Sequence, residues 1–243
     1  MRRFVLACLL SATLAAHSSP TPLRADWSVP ARYRGKLVTS RVRYFPEKLL
    51  ALTFDDGPDP ANTPRILKAL KQYHAHATFF VLGGAAKAHP DLVKRIAAEG
   101  NCVGSHSYSH PQSTSPAQAG RELAQTAKLI TLATGRRPTC FRPPYGIVKG
   151  NLAHLALSQR YAVFTWTVSS ADTRKIGPDA VANNVIHTPS PGDIILMHDG
   201  PGHKVTADAV PRILKELTAA GFRFVTLPEL LRRWDLWLAR KHR

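Results

Sequence analysis

The chain has 243 residues, with 33 Lys and Arg against 16 Asp and Glu, and a formal net charge of +17 at pH 7. A hydrophobic fraction of 44% with 15 Gly and 19 Pro is enough to bury a sizeable core, which excludes collagen-like, low-complexity and wholly disordered chains. The charge suits a polyanionic neighbour such as nucleic acid, wall polymer or membrane surface, but the basic residues are spread along the chain without a continuous run, so a solvated surface describes them equally well.

Met1-Arg2-Arg3 followed by the apolar stretch Phe4 to Ala16 has the charged start and short apolar segment of a secretory signal, too short to span a bilayer. Residues 1–18 are therefore expected to be a signal peptide and 19–47, with Pro20, Pro22 and Pro30, a linker and N-terminal extension. An exported, extracellular, periplasmic or wall-associated protein follows; an uncleaved anchor is the alternative. Once Cys8 is removed, Cys102 and Cys140 are left as either a disulfide or two buried thiols, without the CxxC spacing of a metal or redox site.

From Leu49 onward, short apolar runs alternate with amphipathic stretches. Leu49 to Phe54, Ala77 to Leu82, Ala162 to Trp166, Asp193 to Met197 and Arg223 to Thr226 are rich in β-branched and aromatic residues and predict strands. Thr63 to Tyr73, Asp91 to Glu99, Ser115 to Leu132, Gly150 to Gln159, Pro178 to Ile186 and Ala207 to Ala220 predict helices, with Pro64 in a first turn and Gly100 after a last one. Such alternation implies parallel strands joined by helical crossovers, a single-domain α/β sheet or barrel, in which ligands bind beyond the carboxyl ends of the strands.

Polar clusters stand at those ends. Asp55-Asp56-Gly57-Pro58 closes the first apolar strand with adjacent carboxylates, which repel unless a cation or a base role separates their states. His106-Ser107-Tyr108-Ser109-His110 carries two His at i and i+4, able on one helical turn to reach a single metal; one added carboxylate completes the open three-ligand site of hydrolytic zinc chemistry. Phe141-Arg142-Pro143-Pro144-Tyr145-Gly146 combines a cation with a stiff backbone suited to an oxyanion donor. Trp166 to Asp172 and Ile194 to Gly200 follow, the latter placing His198 directly after an apolar strand.

The set TFDDGP, HSYSH, RPPYG and LMH, in this order and spacing, resembles the polysaccharide deacetylase family, also called the NodB homology domain or carbohydrate esterase family 4. The resemblance covers roughly residues 48–233 and leaves 234–243 as a basic C-terminal tail. It implies a distorted (β/α) barrel of about seven parallel strands and metal-dependent removal of acetyl groups from amino-sugar polymers. Position by position it implies Asp56, His106 and His110 as metal ligands, Asp55 as catalytic base paired with Arg142, His198 as general acid oriented by Asp172, and Tyr145 as oxyanion donor through its N–H. The segment from Thr206-Ala207 through Pro211 to Leu227 is also similar to the family's closing segment. Thr173 stands where the family usually has Trp, and Ser169 where Asp is common, which bears on substrate preference more than on activity.

Asp, His, His ligation suits zinc first, with cobalt, nickel or manganese as alternatives. An anionic wall favours peptidoglycan as the polymer, ahead of chitin or chitooligosaccharides and acetylated xylan. A catalytically silent glycan-binding protein and a nucleic-acid binder are the competing classes; no reading element for nucleic acid is visible, so none is expected as a partner, and the chain is expected to be a monomer.

Overall fold

The structure, a computed structural model, describes residues 25–187 and 189–241, so the expected signal peptide and Cys8 lie outside it. Nine strands and eight α-helices follow one another in chain order among the described residues: β1 (Leu37–Val38), β2 (Leu49–Asp55), α1 (Thr63–Gln72), β3 (Thr78–Val81), α2 (Gly83–Ala88), α3 (Pro90–Ala98), β4 (Cys102–Ser105), α4 (Pro116–Thr134), β5 (Cys140–Phe141), α5 (Asn151–Ser158), β6 (Ala162–Phe164), β7 (Val168–Ser169), α6 (Pro178–Ile186), β8 (Ile194–His198), α7 (Lys204–Ala219), β9 (Arg223–Phe224) and α8 (Leu227–Lys241). No helix among them is long and apolar enough to cross a membrane.

All strand pairs are parallel, in the order β1-β6-β5-β4-β3-β2-β8-β7, with β9 joining the start of β2. The central strand β2 is buried along its whole length, as a strand covered on both faces must be, and its uninterrupted apolar run reflects that. The edge strands β1 and β7 are two residues long and do not pair, so the sheet curls into a half-barrel without closing. Helix boundaries follow local chemistry: Ser115 and Gln118 form a reciprocal capping box at the start of α4, and Gly135 ends it at φ 71°.

The flanks differ from the expected linker and tail. Trp27, Val29, Val38 and Phe45 are buried in the core. Helix α8 runs straight through the expected boundary at residue 233, and Trp234 is 1% exposed. Its apolar residues Leu227, Leu230, Leu231 and Trp234 recur at helical spacing, while Arg232, Arg233 and Arg240 give the segment its basic composition. Tyr33 packs on Trp234 with ring centroids 6.4 Å apart and Phe45 on Trp237 at 6.3 Å, so the two flanks bury each other. Isolated apolar residues among Arg, Lys and Pro carry no period, which is why the sequence read them as linker. Cys102 and Cys140 are both free and buried. Burial, then the neighbouring Cys140 thiol, push the Cys102 thiol well above its ordinary pKa.

Candidate active site

Parallel pairing puts the sequence-predicted residues on one rim. Asp55 ends β2 and is the register partner of His198, which ends β8. His106 directly follows β4 and Arg142 directly follows β5, and Ser105 is paired with Phe141, so these two also stand level. Asp172 lies three residues beyond β7.

Asp56, His106 and His110 form one cluster whose ligand atoms all lie within 4.8 Å of one another. Oδ1 of Asp56 is 3.5 Å from Nε2 of both His106 and His110, and it is buried without a hydrogen-bond partner. Nδ1 of His106 lies 2.7 Å from the carbonyl oxygen of Arg142. A carbonyl only accepts, so Nδ1 carries the proton and donates, and Nε2 presents its lone pair to the cluster. Burial, partly offset by Asp55 and Asp56, keeps the His106 pKa below its ordinary value, favouring that neutral form. An orphaned carboxylate oxygen facing two imidazole nitrogens is a donor set that fits a divalent metal ion.

The two His do not share a helical turn, contrary to the sequence expectation. Residues 106–110 form a loop in which Ser107 (φ 69°) and His110 (φ 59°) are left-handed. Glu122 of α4 braces it, accepting from the N–H groups of Tyr108 (2.6 Å) and Ser109 (2.9 Å) and from the Ser109 hydroxyl (2.7 Å). Of eight non-glycine residues with positive φ among the described residues, five belong to the rim loops: Asp56, Ser107, His110, Tyr145 and Ala171. Each costs on the order of 1 kcal/mol, so the cluster's geometry is held against local preference. Close packing adds to this: a Cβ at Gly200 would lie 2.8 Å from Cβ of Asp56, and one at Gly57 would collide with the Asp199 carboxylate.

Arg142 is fully buried. Its Nη1 donates to Oδ1 of Asp55 (2.8 Å) and to the Thr53 hydroxyl (2.7 Å), its Nη2 donates to the carbonyl of Thr165 (3.0 Å), and its guanidinium sits 4.4 Å from the Phe80 ring centre. Oδ2 of Asp55 is left on the metal-cluster side, 3.8 Å from Nε2 of His106. The adjacent carboxylates thus have separate environments, one paired with a cation and one facing the His pair.

Asp172 accepts twice from His198, at Oδ1 from Nδ1 (2.9 Å) and at Oδ2 from the backbone N–H (2.7 Å); Oδ2 also accepts from the Thr206 hydroxyl (2.6 Å). Burial opposes charging of His198, but the hydrogen bond to Asp172 and the fields of Asp55, Asp172 and Asp56 prevail and raise its pKa to about 9. His203 stacks on His198 with ring centroids 4.9 Å apart. Asp172, His198 and His203 also bring ligand atoms within 4.8 Å, but both oxygens of Asp172 are already engaged, so this group is an acid pair rather than a second metal cluster. Tyr145 packs edge-on against His110 at 4.5 Å between centroids, with 61% of its surface exposed.

The sequence quoted Thr53 and Thr206 inside its motifs but gave them no role, and it passed over Glu122 and His203. Hydroxyls and carboxylates that act by bracing a neighbour leave no spacing signal; only Thr206, in the closing segment, was within a pattern that could have flagged it.

The polysaccharide deacetylase family profile matches residues 43–164. A peptidoglycan-N-acetylglucosamine deacetylase of Bacillus cereus is 40% identical over 185 residues, covering 74% of this chain and 67% of that protein. The peptidoglycan-N-acetylmuramic acid deacetylase PdaC of Bacillus subtilis is 39% identical over 186 residues, covering 76% of this chain and 39% of its own length. The solved structure of PdaC superposes with a TM-score of 0.76 at 37% identity, covering 82% of this chain and 96% of that one. The chain thus spans well under half the length of PdaC itself.

Proposed function

The chain belongs to the polysaccharide deacetylase family, and from that membership we propose that it is an exported, metal-dependent hydrolase that removes N-acetyl groups from peptidoglycan. The observation that carries this reading is the juxtaposition of two unlike carboxylates on one rim: Asp56 facing His106 and His110, and Asp55 clamped by Arg142. The names of the relatives support an amino-sugar polymer of the wall; the charged, apolar first 16 residues support export; and the net charge of +17 suits an anionic wall surface.

Asp56, His106 and His110 would hold the ion, zinc by preference. When bound, a divalent metal supplies Lewis acidity that polarises the acetyl carbonyl and acidifies water. The remaining chemistry belongs to the chain. Asp55, its Oδ1 tied to Arg142, accepts the proton of the attacking water at Oδ2. The backbone N–H of Tyr145 donates to the carbonyl oxygen as it becomes negative. His198, charged through its pairing with Asp172, gives its proton to the departing sugar amine, and acetate and the free amine result.

Acetate release from peptidoglycan, chitooligosaccharides and acetylxylan by zinc-loaded protein tests the reading. Release is expected first from peptidoglycan and is expected to stop on exhaustive chelation. Activity that survives with metal analysis showing no bound ion would sink the mechanism; release from xylan alone would sink the substrate.

A further inference from the structure

A cavity of about 750 Å³ opens against the edge strand β7 and the loop that follows it; Arg41, Thr173, Arg174, Asn183, His187 and Asp193 are in its wall. We propose that this cavity is a second binding site, taking a carboxylate-bearing sugar unit of the polymer whose acetyl group is cut at the rim. The proposal rests on the deacetylase reading and adds what part of the substrate is recognised by charge.

The chemistry of the wall is specific in two ways. First, one of its cationic groups, Arg174, is not spent. Asp193 is buried and fully engaged, accepting from Arg41 (3.0 Å), the Thr167 hydroxyl (2.8 Å) and the backbone N–H of Ser190 (2.6 Å). Arg41 commits one N–H of its fork to that bond and is otherwise half-exposed to the cavity. Arg174 is exposed and has no ion pair among the described residues. With the only carboxylate of the wall neutralised, a surplus positive charge faces the space, and an Arg fork fits a carboxylate in bidentate geometry.

Second, neutral polar groups stand beside the charge: Ser169, Thr173 and Asn183 are in the same wall. Hydroxyl and amide groups of this kind exchange hydrogen bonds with sugar hydroxyls. The cavity thus offers an unpaired cation among hydroxyl and amide groups, matching a carboxylate next to hydroxyls on one ligand. In a wall polymer that is the lactyl ether of an amino sugar, or the acidic peptide attached to it; a chitin chain has neither. Thr173 contributes to the space: a large aromatic at this position, beside Asp172, would occupy part of the wall.

Binding is measured first, without turnover, by calorimetry on the zinc-loaded chain with three oligosaccharides of equal length. These are a glycan with free lactyl carboxylates, the same glycan with its peptides, and a chitooligosaccharide. The carboxylated glycans are expected to bind roughly tenfold tighter than the neutral one, with the preference lost in Arg174→Gln and weakened by added salt. Tighter binding of the peptide-free glycan assigns the lactyl group; tighter binding of the peptide-bearing one alone assigns the peptide. Equal binding of all three, or a preference that Arg174→Gln leaves intact, overturns the site. In kinetics, the ratio of kcat/KM on the carboxylated over the neutral glycan is expected to fall about tenfold in Arg174→Gln, through KM rather than kcat. Thr173→Trp should lower the same ratio by filling the space. If no glycan loses acetate, the deacetylase reading fails while the calorimetric result still decides the site.

Discussion

Asp172 grips His198 at two points, the imidazole Nδ1 and the backbone N–H, and Thr206 of α7 holds the same carboxylate from behind at 2.6 Å. The pair is therefore fixed in position as well as in charge. Its ring nitrogen Nδ1 is spent on Asp172, which leaves Nε2 to meet substrate.

Asp172→Asn keeps the size and removes the charge. The His198 pKa, held at about 9, is expected to fall, so the alkaline limb of the pH-rate profile moves to lower pH. The sign follows from the role: the acid works only while protonated, and a lower pKa deprotonates it sooner. An unchanged alkaline limb with normal metal content would show that this carboxylate does not tune the acid.

Thr206→Val removes one hydrogen bond to a charged group, and turnover is expected to drop roughly tenfold. Thr206→Ser restores the hydroxyl and should recover most of the loss. Equal defects in Val and Ser, with KM and stability also changed, would mean that Thr206 serves packing alone.

The adjacent carboxylates are separable by metal content. Asp55→Asn leaves Asp56, His106 and His110 intact, so zinc per chain should stay constant while turnover falls by on the order of 10² to 10⁴. Asp56→Asn should lower zinc occupancy instead. Equal loss of zinc in both, read by elemental analysis, would contradict the division of roles.

Asp199 is buried, with its Oδ2 accepting from Thr63 at 2.5 Å and its Oδ1 unpartnered. Burial, reinforced by Asp55 and Asp56 against the Thr63 bond, raises its pKa from 3.8 to about 7. Between those values the unfolded carboxyl is ionised while the folded one keeps its proton, so metal-free protein loses stability as pH rises through that window. Asp199→Asn should remove this slope, with the gain in Tm over wild type larger at pH 8 than at pH 4. A gain that does not change with pH would show that Asp199 is ionised in the fold.

Trp234→Ala tests whether the basic C-terminal segment belongs to the domain. A side chain 1% exposed and packed on Tyr33 should cost about 3–5 kcal/mol on truncation, seen as a lower midpoint in urea. A loss below about 0.5 kcal/mol would restore the reading of this segment as an appended tail.

The sequence by itself determined the alternation of strands and helices and the residues of the rim, because both are local. The apolar run 49–54, and the polar clusters that close it and its neighbours, repeat at spacings that parallel crossover connections then align. Tertiary structure decided what depends on distant contacts. The two-residue strands β1, β5 and β7 are too short to carry a period, and they exist only because a neighbouring strand supplies their hydrogen bonds. His106 and His110 converge through a left-handed loop braced by Glu122, where the i, i+4 spacing alone suggested a helix. Arg41, Arg174 and Asn183 share one cavity though they are 133 and 9 positions apart along the chain. Spacing encodes what a backbone repeats; bracing, cavities and unpaired donors depend on which distant side chains folding brings together.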